Sequence, residues 1–505
     1  MEPSSETLDF VSSIEISQPS RVATSRVQAR CFTAVRINSR AESLRQFEQV
    51  FADSGIRHLV KTIRYDVLLP SISDKRLQNK FQCTREAAAN TAAFTHAVLA
   101  LFTSLSSWQK TDSQEDEGIR LFLTATSPSE DIELRSGRVT IKSDRNFYRY
   151  LDIDAKLLPS GRLPSVACVS SLSLVKIDRS TGRATGRRIH PAAVCEMTTA
   201  LPSLQHASWE FYMPKRHLSR VRQEFRAALA QTLLEPSFTS LATLEIMLSD
   251  CDPENELAHP EKYVGDGGED DLSRGLARIS GLPTVASITL RGKWILSPRA
   301  FPSQGFGPKL SFYFVEVSLV TPDGKWLFDD ANPDFEESDV EDMTTSDEED
   351  GEDDPADVDS EDSDAADSFP RSLATASLDR PSKQVRGVPS PETFTPLVAS
   401  FAKAVAGAEV LRRAEMHIHG VLAMVDVGYI GFGEEERSAF LNWPASARRA
   451  MKGGPVEKAT WYLDASGEVS AVQWKIPTQI RSAMEDGVGE GNIKASTPEG
   501  KIDIE

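Results

Sequence analysis

The chain has 505 residues, a formal net charge of −19 and 40% hydrophobic residues, enough for one large or two ordinary cores. The acidity is local: 21 Asp and Glu, and no Lys or Arg, lie between Asp329 and Asp367, which leaves the rest of the chain near neutral at +2. No run reaches the roughly 18 apolar residues of a membrane span, the acidic start has no apolar signal core, and Cys31, Cys83, Cys168, Cys195 and Cys251 form no CxxC pair. Membrane, secreted and collagenous classes are excluded, and the scattered cysteines read as reduced thiols in the cytoplasm or nucleus.

Met1 to Gln18 reads as a polar leader. Ile63 to Val67 and Ile119 to Leu123 alternate apolar and polar residues, the mark of a strand with one buried face. Between them, Glu86 to Trp108 places Phe94, Val98, Leu101, Phe102, Leu105 and Trp108 on one helical stripe. Four segments then share a form: Leu163 to Val166, Leu201 to Leu204, Leu241 to Leu244 and Leu282 to Val285, spaced by 38, 40 and 41 residues. Each leads into alternating apolar positions: Leu172/Leu174, Trp209/Phe211, Ile246/Leu248 and Ile288/Leu290. Helical patterns separate these strands. His217 to Leu233 carries Leu218, Val221, Phe225, Leu229 and Leu233 on its stripe, with Arg220, Arg222 and Arg226 outside it. Asp271 to Ile279 is a second helix, closed by Gly281, Leu282 and Pro283. Downstream, Leu310 to Phe314 and Val410 to Ile418 repeat the strand form, and Leu397, Phe401, Val405 and Ala408 form the helix before the latter.

A helix–strand unit cannot bury its apolar face alone, so stacked copies must supply the core. The expected fold is α/β: an irregular leucine-rich-repeat-like solenoid of helix–strand units over residues 41–328, with a longer period than the ordinary repeat and without its asparagine. The alternative is a compact α/β domain whose strands are not stacked in order. Residues 329–392, acidic and then rich in Pro and Ser, are expected to be a disordered insertion. Residues 393–482 hold a last helix–strand unit and a β-hairpin within Thr460 to Trp474, turning at Ala465 to Gly467. Residues 483–505 read as a flexible tail.

No GxxxxGK[ST], HExxH or GxSxG motif and no strand–GxGxxG–helix unit occurs, and no Asp/Glu pair stands out as general acid and base. Gly487, Gly489 and Gly491 resemble a nucleotide loop by composition only. His417 and His419 put two imidazoles on one face of a strand, half of a metal site. A tetrahedral ion needs two further ligands and the sequence names none, so both read as outward-facing strand residues. An EF-hand does not fit the acidic tract: with Gly351 as the turn glycine, the first and last ligand positions would be Ser346 and Asp357. Lys215, Arg216, Arg220, Arg222 and Arg226 make one helix basic, but no aromatic residues interleave them, so the face reads as solvated and not as a nucleic-acid surface. Ser338 and Ser346 precede acidic residues as acidophilic kinases prefer and are candidate phosphorylation sites.

The run from Arg57 to Pro70, then Glu86 to Asn90 with Ala93 and Phe94, then Gly118 to Leu123, resembles a family of fungal F-box proteins. Val320 to Phe328 before an acidic insertion, and Ala459 to Trp461, are similar to the second half of that family, so the likeness runs over about residues 20–480. In the family, an F-box ahead of the segment matching Ala34 to Asn38 docks onto the Skp-type adaptor of cullin-based ubiquitin ligases, and the repeats present the substrate. Here the residues before Phe32 lack the Leu-Pro-x-Glu opening, and Ser20 to Arg30 resembles only the last F-box helix, so residues 1–40 read as leader and truncated remnant.

The resemblance implies a non-enzymatic recognition module with no cofactor, whose partners are that adaptor and a substrate protein. In a solenoid, strand residues between the buried positions face solvent on the binding surface. The candidate partner-binding residues are therefore Arg64, Asp66, Glu210, Tyr212, Glu245, Met247, Thr289, Arg291, His417 and His419. The alternative is an acidic chromatin- or histone-associated protein acting through residues 329–367, since a dense polyanion attracts basic partners.

Overall fold

Period-two alternation commits a segment to a strand with two unlike faces, and the segments that show it all enter one sheet. The computed structural model describes residues 32–71, 84–108, 118–127, 150–174, 177–178, 183–184, 187–214, 218–235, 238–249, 259–264, 268–330, 386–419, 423–434, 457–467, 475–489 and 493–496. The first half contains β1 (Ala34–Asn38), α1 (Ala41–Val50), the single turn α2 (Ser54–Arg57), β2 (Thr62–Leu68), α3 (Thr84–Ser106), β3 (Ile119–Thr126), β4 (Val169–Leu174), β5 (Ile177–Asp178), β6 (Arg183–Ala184), α4 (Pro191–Thr199), β7 (His206–Tyr212), α5 (Ser219–Leu234) and β8 (Thr243–Ser249). There follow α6 (Asp271–Ser280), β9 (Ser287–Trp294), β10 (Phe312–Val317), β11 (Phe328–Asp330), β12 (Arg386–Pro389), α7 (Phe394–Ala406), β13 (Arg413–His419), β14 (Ala423–Ile430), β15 (Thr460–Gly467), α8 (Thr478–Val488) and β16 (Ile493–Ser496).

The sheet has 12 strands in the order β1-β2-β3-β4-β7-β8-β9-β10-β13-β14-β15-β16, so its members follow chain order. Neighbours from β1 to β13 are parallel, β14 is antiparallel to β13 and β15, and β16 is parallel to β15. Parallel neighbours need a crossover between them, which α1 and α2 supply before β2, α3 before β3, α4 before β7, α5 before β8, α6 before β9 and α7 before β13, while β9 reaches β10 without an α-helix. The four repeated segments are the loops that enter β4, β7, β8 and β9. Residues at or near the starts of β4, β7, β8, β9, β10 and β13 form a backbone ladder: Gln205 N–H donates to Ser170 O (2.7 Å), Ala242 to Gln205 (2.8 Å), Ala286 to Ala242 (2.7 Å), Ser311 to Ala286 (2.9 Å) and Arg412 to Ser311 (2.9 Å).

The helices bury one face of the sheet. Tyr65 of β2 donates its hydroxyl to Ala97 O of α3 at 2.9 Å, Phe211 of β7 meets Phe225 of α5 edge-on, and Phe401 of α7 touches both Tyr313 of β10 and Trp461 of β15. By length and composition α3 could cross a membrane, but its Phe94, Val98, Leu101, Phe102 and Leu105 are fully buried in this core. At Gly292 the register of β9 against β10 shifts. Its φ is +92°, and an added Cβ would stand 1.9 Å from Leu248 O, so only glycine fits this bulge.

Three expectations need correction. Ala465 to Gly467 is not a turn: β15 runs straight through it, pairing Ala465 with Val425 and Gly467 with Ala423. The antiparallel hairpin is β13–β14, and the alternating Val425, Val427 and Tyr429 are the signal for it. Residues 483–505 are not simply a tail, because α8 packs Ile480, Ala483 and Met484 into the core and β16 extends the sheet. Gly487 permits that contact; a Cβ there would lie 3.0 Å from Ala406 Cα of α7. The basic face of α5 is solvated only at Arg220, which pairs with exposed Glu224, whereas Arg222 and Arg226 are buried. Arg222 is bonded to half-buried Tyr263 (3.0 Å) and to Pro214 O (2.5 Å), and Arg226 to buried Asp270 and Ile295 O (2.8 Å each). Lys215 and Arg216 lie outside the described residues, as do residues 331–385 of the acidic insertion with Ser338 and Ser346. The two ends of that insertion meet as the antiparallel pair β11–β12.

Candidate functional site

The register places one uninterrupted row across the face opposite the helices: Arg36, Arg64, Phe122, Ser173, Ser208, Glu245, Thr289, Phe314, Glu415, Gly428, Tyr462 and Lys494. A second row brings Glu210, Met247 and Arg291 together, and a third links Glu316, His417, Asp426, Asp464 and Ser496. All ten predicted surface positions belong to this face. Arg64 and Arg291 are exposed, and Asp66, Glu210, Tyr212, Glu245, Met247, Thr289 and His419 are half-buried. His417 is the correction: it is 4% exposed, because β13 buries both of its faces.

The first part of the face is a network of shallow polar contacts. Arg36 Nε donates to Asp66 at 2.8 Å, and Thr124 Oγ1 donates to the same carboxylate at 2.6 Å. Arg64 lies over the Phe122 ring at 5.8 Å and Arg291 over Phe314 at 5.8 Å. Tyr212 donates to Glu210 at 2.6 Å, with Arg188 over its ring at 4.6 Å. Burial, and then the Glu210 carboxylate, hold the Tyr212 phenol above its ordinary range.

Beyond β10 the same face turns inward and its charges converge. Asp426 on β14 stands directly across from His417 on β13. One oxygen, Asp426 Oδ1, accepts from His417 Nδ1 at 2.7 Å and from His419 Nε2 at 2.6 Å. The other ring nitrogen of His417, Nε2, lies 3.0 Å from Glu415 Oε2. Glu415 is fully buried and also accepts from Arg413 Nε. Phe314 packs against the His417 ring, centroids 5.0 Å apart, and Lys293 Nζ donates to His419 O at the edge.

An imidazole with a carboxylate on each nitrogen donates from both and is therefore a cation. Burial opposes that charge, yet hydrogen bonds to Asp426 and Glu415 and their negative charges override it and push His417 up to about 9. For Asp426, burial pulls upward, while hydrogen bonds from the two histidines and their charge hold its carboxyl down to about 2.

Three potential metal ligands, His417, His419 and Asp426, have donor atoms within 4.8 Å of one another. Of these the sequence pattern singled out the two histidines. Asp426 and Glu415 were missed because their proximity depends on the β13–β14 register. The available signal was the alternation of β14 close after His419, which folds Asp426 back onto His417. No family model, curated protein or solved structure matches the chain.

Proposed function

We propose that the chain is a non-enzymatic protein–protein recognition module, built as an irregular leucine-rich-repeat-like solenoid and presenting the face opposite its helices. The observation that carries this reading is the unbroken row from Arg36 to Thr289, polar and aromatic side chains set in one register across adjacent strands, exposed at Arg36 and Arg64 and half-buried at most of the rest. Chain-order parallel strands and the backbone ladder support the solenoid. The resemblance to fungal F-box proteins makes the role substrate recruitment for a cullin-based ubiquitin ligase, with a Skp-type adaptor as the other partner.

The test is co-precipitation of the full chain from fungal lysate, with the adaptor and cullin probed directly and remaining partners identified by mass spectrometry. Glu210→Arg and Arg291→Glu are expected to lose the substrate partner while melting as wild type does. If both variants retain every partner, this face is not the binding surface. The second reading, a histone-binding acidic protein, is favoured by the 21 acidic residues between Asp329 and Asp367. Because β11 and β12 pair at the base of the insertion, deleting residues 331–385 leaves both strands present. Recognition through the sheet predicts unchanged partner binding in the deletion; the acidic reading predicts loss of binding to purified core histones, and its sensitivity to salt beforehand.

A further inference from the structure

We propose that His417 Nδ1, His419 Nε2 and a carboxylate oxygen of Asp426 form a three-ligand site for a divalent transition-metal ion of the zinc class. The site goes beyond partner recognition and stands independently of it. The two rings and the carboxylate come from adjacent antiparallel strands and point at one spot, where Asp426 Oδ1 already touches both nitrogens at 2.6 and 2.7 Å. Ligands about 2.0–2.1 Å from a tetrahedral ion stand roughly 3.3 Å apart, so small rotations of these side chains open the required space. The ion takes the place of the two N–H protons that point at Asp426 Oδ1: His417 gives its Nδ1 proton to solvent and keeps the one on Nε2, and His419 offers Nε2 in the neutral tautomer protonated at Nδ1.

The surroundings favour an ion of this kind. A metal-bound imidazole is oriented when its other nitrogen donates to a carboxylate, and His417 Nε2 already faces Glu415, itself held by Arg413. Two imidazoles and one carboxylate suit zinc, iron, cobalt, nickel or copper, whereas calcium and magnesium call for oxygen donors throughout. The side of entry is given by exposure: His419 is 41% exposed, against 4% for His417 and 2% for Asp426. Three protein ligands leave a fourth position on the His419 side for water or a bound group.

The experiment uses the full chain, stripped with chelator and titrated calorimetrically with Zn²⁺ in excess Mg²⁺, which occupies oxygen-only sites. Co²⁺ serves as the optical probe, since its visible bands report nitrogen ligation. One equivalent is expected that His419→Ala removes or weakens by at least about 10–100-fold, and that Glu415→Gln weakens by about 10–100-fold. His419 is the first choice for substitution because its partial exposure spares the fold, which circular dichroism checks; His419→Gln is the second variant. The proposal is overturned if no equivalent binds, or if every equivalent survives in both His419 variants.

Discussion

Two aspartates on the same sheet, Asp66 on β2 and Asp426 on β14, are built alike and placed differently. Each receives two donors from neighbouring positions: Arg36 and Thr124 for Asp66, His417 and His419 for Asp426. Arg36 is 77% exposed and Asp66 23%, whereas His417 and Asp426 are 4% and 2% exposed. In water, side-chain entropy and screening cancel most of an ion pair's Coulomb gain. In the interior the attraction is stronger, but so is the cost of leaving either partner alone. The Arg36–Asp66 pair on β1 and β2 is thus a charge pair that the fold tolerates at its surface. The strands from β13 to β15 carry charges that the fold itself requires.

Substitutions sharpen this contrast, in descending order of effect. Asp426→Ala leaves His417 and His419 without their shared acceptor and is expected to cost about 3–5 kcal/mol in urea unfolding of the metal-free chain. Ile480→Ala, on the helix that packs against α7, is expected to cost about 3 kcal/mol; a change below about 0.5 kcal/mol, usual for the surface, would return α8 to the status of a tail. His190 supplies a pH-dependent case. Its Nδ1 caps α4 by accepting from Ala192 N–H at 3.3 Å, which requires the neutral ring. Burial lowers its pKa from 6.5, against the opposing charges of Asp152 and Glu224. The folded state therefore binds fewer protons than the unfolded chain. Its contribution, about 1 kcal/mol for a cap, is full above pH 6.5 and is lost as pH falls from there toward the depressed folded value. His190→Asn keeps an acceptor without the titration, so the difference in urea midpoint between about pH 5 and about pH 8 should shrink. Asp66→Ala is expected to change stability by less than about 1 kcal/mol. A larger loss would show that the outer face is also part of the core.

Legibility in the sequence followed how local each cause is. β2, β3, β7, β8 and β9 were readable because their alternation has one buried face, and α3, α5, α6 and α7 because their stripes are long. The last three strands were harder. β14 and β15 are buried on both faces, so polar Asp426 and Asp464 interrupt an apolar run for reasons that lie across the sheet. Ala465 to Gly467 has turn composition and yet pairs along its length with β14. Arg222 and Arg226 of α5 look like surface charges until Asp270, Glu261 and Tyr263 arrive from the segments after β8. At the site, the spacing of His417 and His419 showed a half-built cluster, and Asp426 completes it only through register.

Chain-order pairing has a consequence for synthesis. As each strand of the 12-stranded sheet after β1 leaves the ribosome, the preceding neighbour it will bond to has already been made, so the sheet can grow at one edge with the N-terminal strands first. The order continues to β16, but the direction changes at β14, which is antiparallel to β13. His417 emerges before the carboxylate of Asp426 that it needs, and β13 is an open edge until β14 turns back upon it. A nascent chain halted between His419 and Ala423 therefore has a growing edge and, beside it, an imidazole that has Glu415 but still lacks its second carboxylate.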